Sequence, residues 1–433
     1  MTAHTLEELL NSPSNSVRHA KIIDAKLTAF PEELFNQKES LEIIDLSNNE
    51  LTELPSTITD FKKLKILFLS FNKFSAYPSV LANFEHLKMI AFKSNQIKKI
   101  DENSFPISLK WLILTDNKIE EIPESIGNCQ LLKKFVFAGN NIKKLPETIS
   151  KCKNLELVRA SANQLTDFPT VFFTLPKLAW LAFEGNPFST LHSNQTDNIL
   201  PYINWEEIEL KEQLGEGASG IISKGNFKHS QKEIAIKIFK GDLTSDGYPK
   251  DELEISLLAG KHPHLVPLIA QSKNKEQNKD ALIMSFISSE FKNLGLPPSL
   301  DSCTRDVLKI NEKWTQKQLI TLLKGIASAM QHLHAKKISH GDLYAHNILY
   351  HPINFNAFLG DFGAASYYAS SLYTNEIERI DVRAFGYLMD DLIDLLEAPS
   401  KELTAIKQYC LNEELLKRPT FSEIIPLLAD IKS

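Results

Sequence analysis

Three polar side chains in the last third of the chain have the types and spacing that phosphate chemistry needs. Asp342 lies in His340-Gly341-Asp342-Leu343-Tyr344-Ala345-His346-Asn347, and nineteen residues after it comes Asp361-Phe362-Gly363. One carboxylate, Asp342, can orient an attacking hydroxyl. An amide five positions on, Asn347, and a second carboxylate, Asp361, can hold magnesium on a nucleotide. Such chemistry also needs a cation on the phosphates and a backbone that approaches them closely.

Both lie upstream and in order. Gly215-Glu216-Gly217-Ala218-Ser219-Gly220 is G-x-G-x-x-G, a pattern that also opens a dinucleotide-binding turn. In that alternative a helix follows at once. Here Ile221 to Phe227 reads as a strand, then a turn, then Glu233-Ile234-Ala235-Ile236-Lys237-Ile238-Phe239. That is a glycine-rich hairpin plus a strand whose alternation aims Lys237 inward.

The catalytic stretch resembles the H-R-D-L-x-x-x-N of the protein kinases, and the resemblance covers about 205 to 433. It implies an α+β two-lobed protein-kinase-like domain that uses ATP and Mg2+ or Mn2+. By resemblance Gly215, Gly217 and Gly220 cover the phosphates, with Ile222, Ala235, Met284 and Phe286 around the adenine. Lys237 grips the α- and β-phosphates, and Asp342 is the hydroxyl-orienting acid. Asn347 and Asp361 are the metal ligands. Glu254, on a helical run from Asp251 to Ala259, is the expected partner of Lys237, with Glu252 as the alternative. His340 and Phe362 are expected to pack in the interior. Asp381-Val382-Arg383-Ala384-Phe385-Gly386 resembles a helix start whose Asp braces the catalytic loop, and Lys417-Arg418-Pro419-Thr420-Phe421 the closing helix. Leu319, Leu322, Leu323, Ile326, Met330 and Leu333 recur at helical spacing and are expected in the core.

The sequence departs from that family in three places. Gly341 replaces an arginine that reads an activation-segment phosphate, so activity should not depend on phosphorylation at Ser366, Tyr367, Tyr368 or Thr374. Tyr344 replaces the lysine of the serine/threonine type, leaving the acceptor hydroxyl open between serine/threonine, which is favoured, and tyrosine. The segment from Asp361 to Asp381 is short and has no A-P-E, so Glu376 or Glu378 is left as a partner for Arg418. These losses also permit a second reading, a pseudokinase scaffold that signals by shape.

The first half is a repeat array. Asn49, Asn72, Asn95, Asn117, Asn140, Asn163 and Asn186 recur at steps of 23, 23, 22, 23, 23 and 23. Each sits in L-x-x-L-x-L-x-x-N-x-L, which resembles the leucine-rich repeat and implies an α/β solenoid. The asparagines are expected to form a structural ladder. Cys129 and Cys152 share a column with Phe61, Phe84 and Leu175, and are expected in the core. The predicted concave positions Ile43, Ile66, Phe68, Met89, Trp111, Ile113, Val136, Leu157 and Trp180 form an apolar band. Such a band marks an interaction surface for a protein substrate or regulator, unless the second half or another copy of the chain covers it. The expected order is a cap at 1–16, about eight repeats over 17–190, a linker at 191–203 and the kinase-like domain at 204–433.

Composition supports an ordinary globular chain. With 433 residues, 24% charged, and a net charge of −6, nothing suggests nucleic acid as a partner. No apolar run reaches the length of a membrane span and no secretory leader is visible, so a cytoplasmic location is expected. Four cysteines without C-x-x-C spacing make a zinc site or disulfide framework improbable. Repeats joined to a kinase-like domain without a membrane span resemble leucine-rich repeat protein kinases of bacterial type.

Overall fold

The computed structural model describes residues 2–189, 200–241, 243–274, 277–369 and 371–431. The expected linker at 191–203 therefore lies outside the described residues over 191–199. The chain forms two compact units, Met1–Lys177 and Leu178–Ser433.

The first unit is a solenoid. Short parallel strands pair in chain order, from Thr2–Ala3 and His19–Lys21 through Ile43–Asp45, Ile66–Phe68, Met89–Ala91, Trp111–Ile113 and Lys134–Val136 to Leu157–Arg159. Opposite several strands the chain turns through a single 3-10 helix, as at Ser56–Asp60, Ser79–Asn83, Glu124–Asn128 and Glu147–Lys151. Each of these is preceded by proline, whose fixed φ sets the turn. The helix Leu6–Asn11, capped by the Thr5 hydroxyl, closes the N-terminal end and buries Leu9.

The asparagines form the expected ladder. The Asn117 amide nitrogen donates to the carbonyls of Phe92, Leu114 and Thr115 at 2.8, 3.1 and 3.1 Å, and its oxygen accepts from Ile97 N–H at 3.0 Å. One side chain thus satisfies backbone groups of neighbouring turns that are shut off from water. Cys129 and Cys152 are fully buried, and Phe61 and Phe84 of the same column are buried too. Burial pushes the Cys129 and Cys152 thiols up to about 12 and about 11.

The concave band is less open than its pattern implies. Ile43, Ile66, Phe68, Trp111 and Ile113 are half-buried. Met89, Val136 and Leu157 keep only 6, 5 and 6% exposure. In-register pairing sets Met89 between Ile66 and Trp111, and Val136 between Ile113 and Arg159, so large neighbours crowd both sides. Lys134 adds its ammonium over the Trp111 ring, 4.0 Å from the centroid. Trp180 belongs to the second unit and is buried there.

That unit begins with the strand Trp180–Ala182. A five-stranded antiparallel sheet follows, ordered Ile208–Glu216, Gly220–Phe227, Glu233–Phe239, Lys279–Ser285, Leu268–Asn274. Strand alternation divides its side chains. Ile234 and Ile236 join Ala270, Ala281 and Ile283 in a core on one face. Phe239 and Leu282 pack on the other with Leu253 and Leu257 of the helix Pro249–Ala259. Lys237 shares this second face, by the period of two. After the sheet come the helices Gln316–Ala335, Thr374–Ile393, Lys401–Cys410 and Phe421–Ala429. Reciprocal capping boxes start two of them, Thr315 with Gln318 and Thr420 with Glu423. Leu319, Leu322, Leu323, Ile326, Met330 and Leu333 are fully buried, as their spacing requires. Among the described residues no helix is long and apolar enough to cross a membrane.

Candidate active site

A cavity of about 340 Å³ lies beneath the sheet, lined among others by Ile222, Ala235, Lys237, Met284, Phe286, Asn347 and Asp361. Residues spread over 140 positions of sequence therefore meet around one space. Register explains the upper wall: Lys237 pairs with Ile222 and Leu282, and Ala235 with Met284. Gly215, Gly217 and Gly220 sit at the turn between the first two strands of the sheet and are not in the lining. At Gly215 and Gly217 a Cβ would meet nothing within 4 Å, whereas at Gly220 it would come 2.7 Å from the Ile238 carbonyl. Lys240 ties this turn down through Glu216 at 2.6 Å and the Gly217 carbonyl at 3.1 Å.

Lys237 makes an ion pair with Glu252. The expectation of Glu254 is thereby corrected: Glu254 is on the outer side of the helix, 3.3 Å from Lys250. Two positions along a helix is about 200° of rotation, so only one of the two acids can face the sheet. Burial opposes the charge on Lys237, but the carboxylates of Glu252 and Asp361 outweigh it and hold the lysine above its usual pKa.

The lower wall includes Asn347 and Asp361; Asp342 is not in the lining and joins it through Asn347. Asn347 Nδ2 donates to Asp342 Oδ2 at 2.8 Å and to its carbonyl at 2.9 Å. Asp361 is an exposed carboxylate at φ 59°, and its Oδ1 accepts from Gly363 N–H at 3.1 Å. A non-glycine residue at positive φ is strained, and such strain is common where a side chain must point at a ligand. Buried Asp381 accepts from the N–H groups of His340 and Gly341 at 3.0 and 3.2 Å, which braces the loop that carries Asp342. His340 is fully buried against Phe362, and burial keeps its imidazole below the usual pKa.

Asp306 was missed by the sequence reading. It accepts from the N–H groups of Ala345 and His346, and from His346 Nδ1 at 2.7 Å. It lies in a loop without periodicity, and nothing in its local sequence marks it.

A family profile described as protein tyrosine and serine/threonine kinase matches residues 208–385, and leucine-rich repeat profiles match 22–74 and 108–129. The chain joins leucine-rich repeats to a protein kinase domain. It is 32% identical over 189 residues to L-type lectin-domain containing receptor kinase V.7 of Arabidopsis thaliana, covering 42% of this chain and 27% of that protein. To cyclin-dependent kinase 11.1 of Caenorhabditis elegans it is 29% identical over 174 residues, 39% of this chain and 22% of that one. To a putative serine/threonine-protein kinase/receptor, R826, of Acanthamoeba polyphaga mimivirus it is 25% identical over 272 residues, 52% and 15% of the two chains. The chain thus spans well under half the length of these relatives.

Inside the kinase domain the departures have structural partners. Gly341 has φ +67°, and a Cβ there would come 2.5 Å from the Ala364 carbonyl and 2.6 Å from that of Leu181. Only glycine fits. Tyr344 is buried, with the Trp180 ring flat on it, centroids 4.3 Å apart and planes 8° apart. Trp180 also stacks on Tyr387 at 5.2 Å, so it is no part of an open concave band. Arg418 is buried and donates to the carbonyls of Asn412 and Arg379 at 2.8 and 3.0 Å. Glu378, considered as its partner, instead meets Lys337 at 3.3 Å and the Tyr368 hydroxyl at 3.0 Å.

Proposed function

We propose that this chain is an Mg-ATP-dependent protein kinase acting on serine or threonine, whose repeats bind a protein substrate or regulator. The observation that carries this reading is the ion-paired Lys237, facing the cavity that also holds Asp361 and Asn347. Ile222, Ala235, Leu282 and Met284 supply apolar walls suited to an adenine, and the volume of about 340 Å³ is in the range of small-ligand sites. The donor set suits a hard cation: the Asp361 carboxylate and the Asn347 amide oxygen, since the amide nitrogen is engaged by Asp342. Bound there, magnesium would neutralise charge on the phosphates.

The protein's own part is positional and electrostatic. Lys237 holds the phosphates, and Glu252 keeps that lysine charged and oriented. Asp342, fixed by Asn347, accepts the hydrogen bond of the acceptor hydroxyl and takes its proton as the phosphoryl group moves. The buried His340 is neutral and serves as packing.

Incorporation of label from ATP with Mg2+ or Mn2+, wild type beside Asp342→Ala and Lys237→Ala, tests the reading. Transfer by the wild type and its loss in both variants is the expected result. The second reading, a scaffold without transfer, draws support from Tyr344 filling the place of a phosphate-directed lysine. Nucleotide-stabilised melting with no transfer by the wild type would establish that reading instead. For the repeats, the half-buried Ile43, Ile66, Phe68, Trp111 and Ile113 are the surface we assign to a partner. Unchanged partner capture by a Phe68→Ala/Trp111→Ala double variant would refute the assignment.

A further inference from the structure

Within the second unit, one short strand touches both loops that the chemistry depends on. Trp180 Nε1 donates to the Leu343 carbonyl at 3.1 Å, and its ring covers Tyr344. Just after the strand, Phe183 N–H donates to Ser366 Oγ at 2.9 Å, and Glu184 Oε2 accepts from Tyr367 N–H at 2.6 Å. Leu181, between them, supplies one of the two carbonyls that a Cβ at position 341 would meet. Trp180 and Glu184 keep 1 and 4% of their exposure, so these are buried polar contacts shielded from water.

In the family this chain resembles, an arginine at the position of Gly341 reads a phosphate on the activation segment. Here the same space is closed by backbone from the strand. The segment 366–367 is held on one side by the strand Ile338–Ser339. On the other side it is held by Phe183 and Glu184, through contacts that need no added phosphate.

We propose that Trp180 and Glu184 are positioning residues for phosphoryl transfer: the strand Trp180–Ala182 and the turn after it form a built-in clamp, doing for the catalytic loop and activation segment what a phosphate–arginine pair would do. The proposal rests on the kinase reading above. The chain would then be constitutively competent, with control passing to whatever bears on this strand.

The test measures label transfer from Mg-ATP to dephosphorylated casein and to the chain itself, using full-length protein pretreated with phosphatase. The wild type should keep its rate. Trp180→Ala and Glu184→Ala should lose about 10- to 100-fold in kcat, with KM for ATP changed less than about threefold and Mg-ATP still raising Tm. Glu184→Gln, which keeps an oxygen for the Tyr367 N–H, should recover most of the rate, as a merely bulky core residue would not require. If Trp180→Ala fails to fold, the Glu184→Ala and Glu184→Gln pair decides. Wild-type transfer with both alanine variants unchanged, or faster, would overturn the clamp and leave the kinase reading standing. No transfer by the wild type would remove both.

Discussion

Glu252 closes on Lys237, and Glu254, two positions along the same helix, turns outward to Lys250. The choice between the two acids is a choice of helix face. It predicts that Glu252→Ala lowers kcat/KM on the order of 100-fold, because a buried cation loses the group that orients it. Glu254→Ala should stay within about twofold, since its pair with the exposed Lys250 contributes little. Steady-state kinetics on the two variants side by side checks this; equal effects would contradict the assignment.

Asp306 holds two backbone N–H groups and one imidazole of the loop that carries Asp342. Asp306→Ala leaves three donors to find other acceptors and lets Asn347 and Asp342 drift. A fall in kcat on the order of 10- to 100-fold is expected, with nucleotide-induced stabilisation retained. Loss of nucleotide binding instead would mean the residue supports the fold of the cavity itself.

Gly341→Ala places a Cβ against two carbonyl oxygens at a backbone angle that L side chains rarely adopt. The backbone conformation alone costs about 1 to 3 kcal/mol, and the contacts add to it. Chemical denaturation should register that loss. Gly341→Arg should be inactive and should not become phosphorylation-dependent, because the space for a guanidinium is taken.

Glu184 predicts a pH dependence of stability. Burial first, then the nearby Asp251 and Glu254, push its carboxyl up from 4.5 to about 8, against the lowering effect of the Tyr367 and Gly185 N–H groups. The folded state therefore binds a proton that the unfolded chain has released, and stability from this group falls as pH rises from 4.5 towards 8. The slope is up to about 1.4 kcal/mol per pH unit within that window. Glu184→Gln should flatten the curve of unfolding free energy against pH over the same range. An unchanged slope would assign the titration elsewhere.

In the first unit, Asn117→Ala removes one side chain that satisfies three carbonyls and one N–H. A loss of about 3 kcal/mol is expected. Lys118→Ala, the exposed neighbour, should be close to neutral.

What the sequence determined by itself is whatever rests on local periodicity or on a motif in order. The 23-residue step of the asparagines requires stacked turns, because one turn cannot cover its own apolar face. The alternation from Glu233 to Phe239 puts Lys237 on the face opposite Ile234 and Ile236. The resemblance named Asp342, Asn347 and Asp361, and the fold brings Asn347 against Asp342 and, with Asp361, onto the same cavity as Lys237. The tertiary structure alone decided contacts between segments far apart in the chain. Glu252 was chosen over Glu254 by how one helix rotates against a sheet. Asp306 reaches the catalytic loop from a loop with no pattern of its own. Gly341 and Tyr344 read as losses in one dimension. In three they are the surface on which Trp180 and Leu181 pack, more than 150 residues away in sequence, a complementarity that no local rule could register.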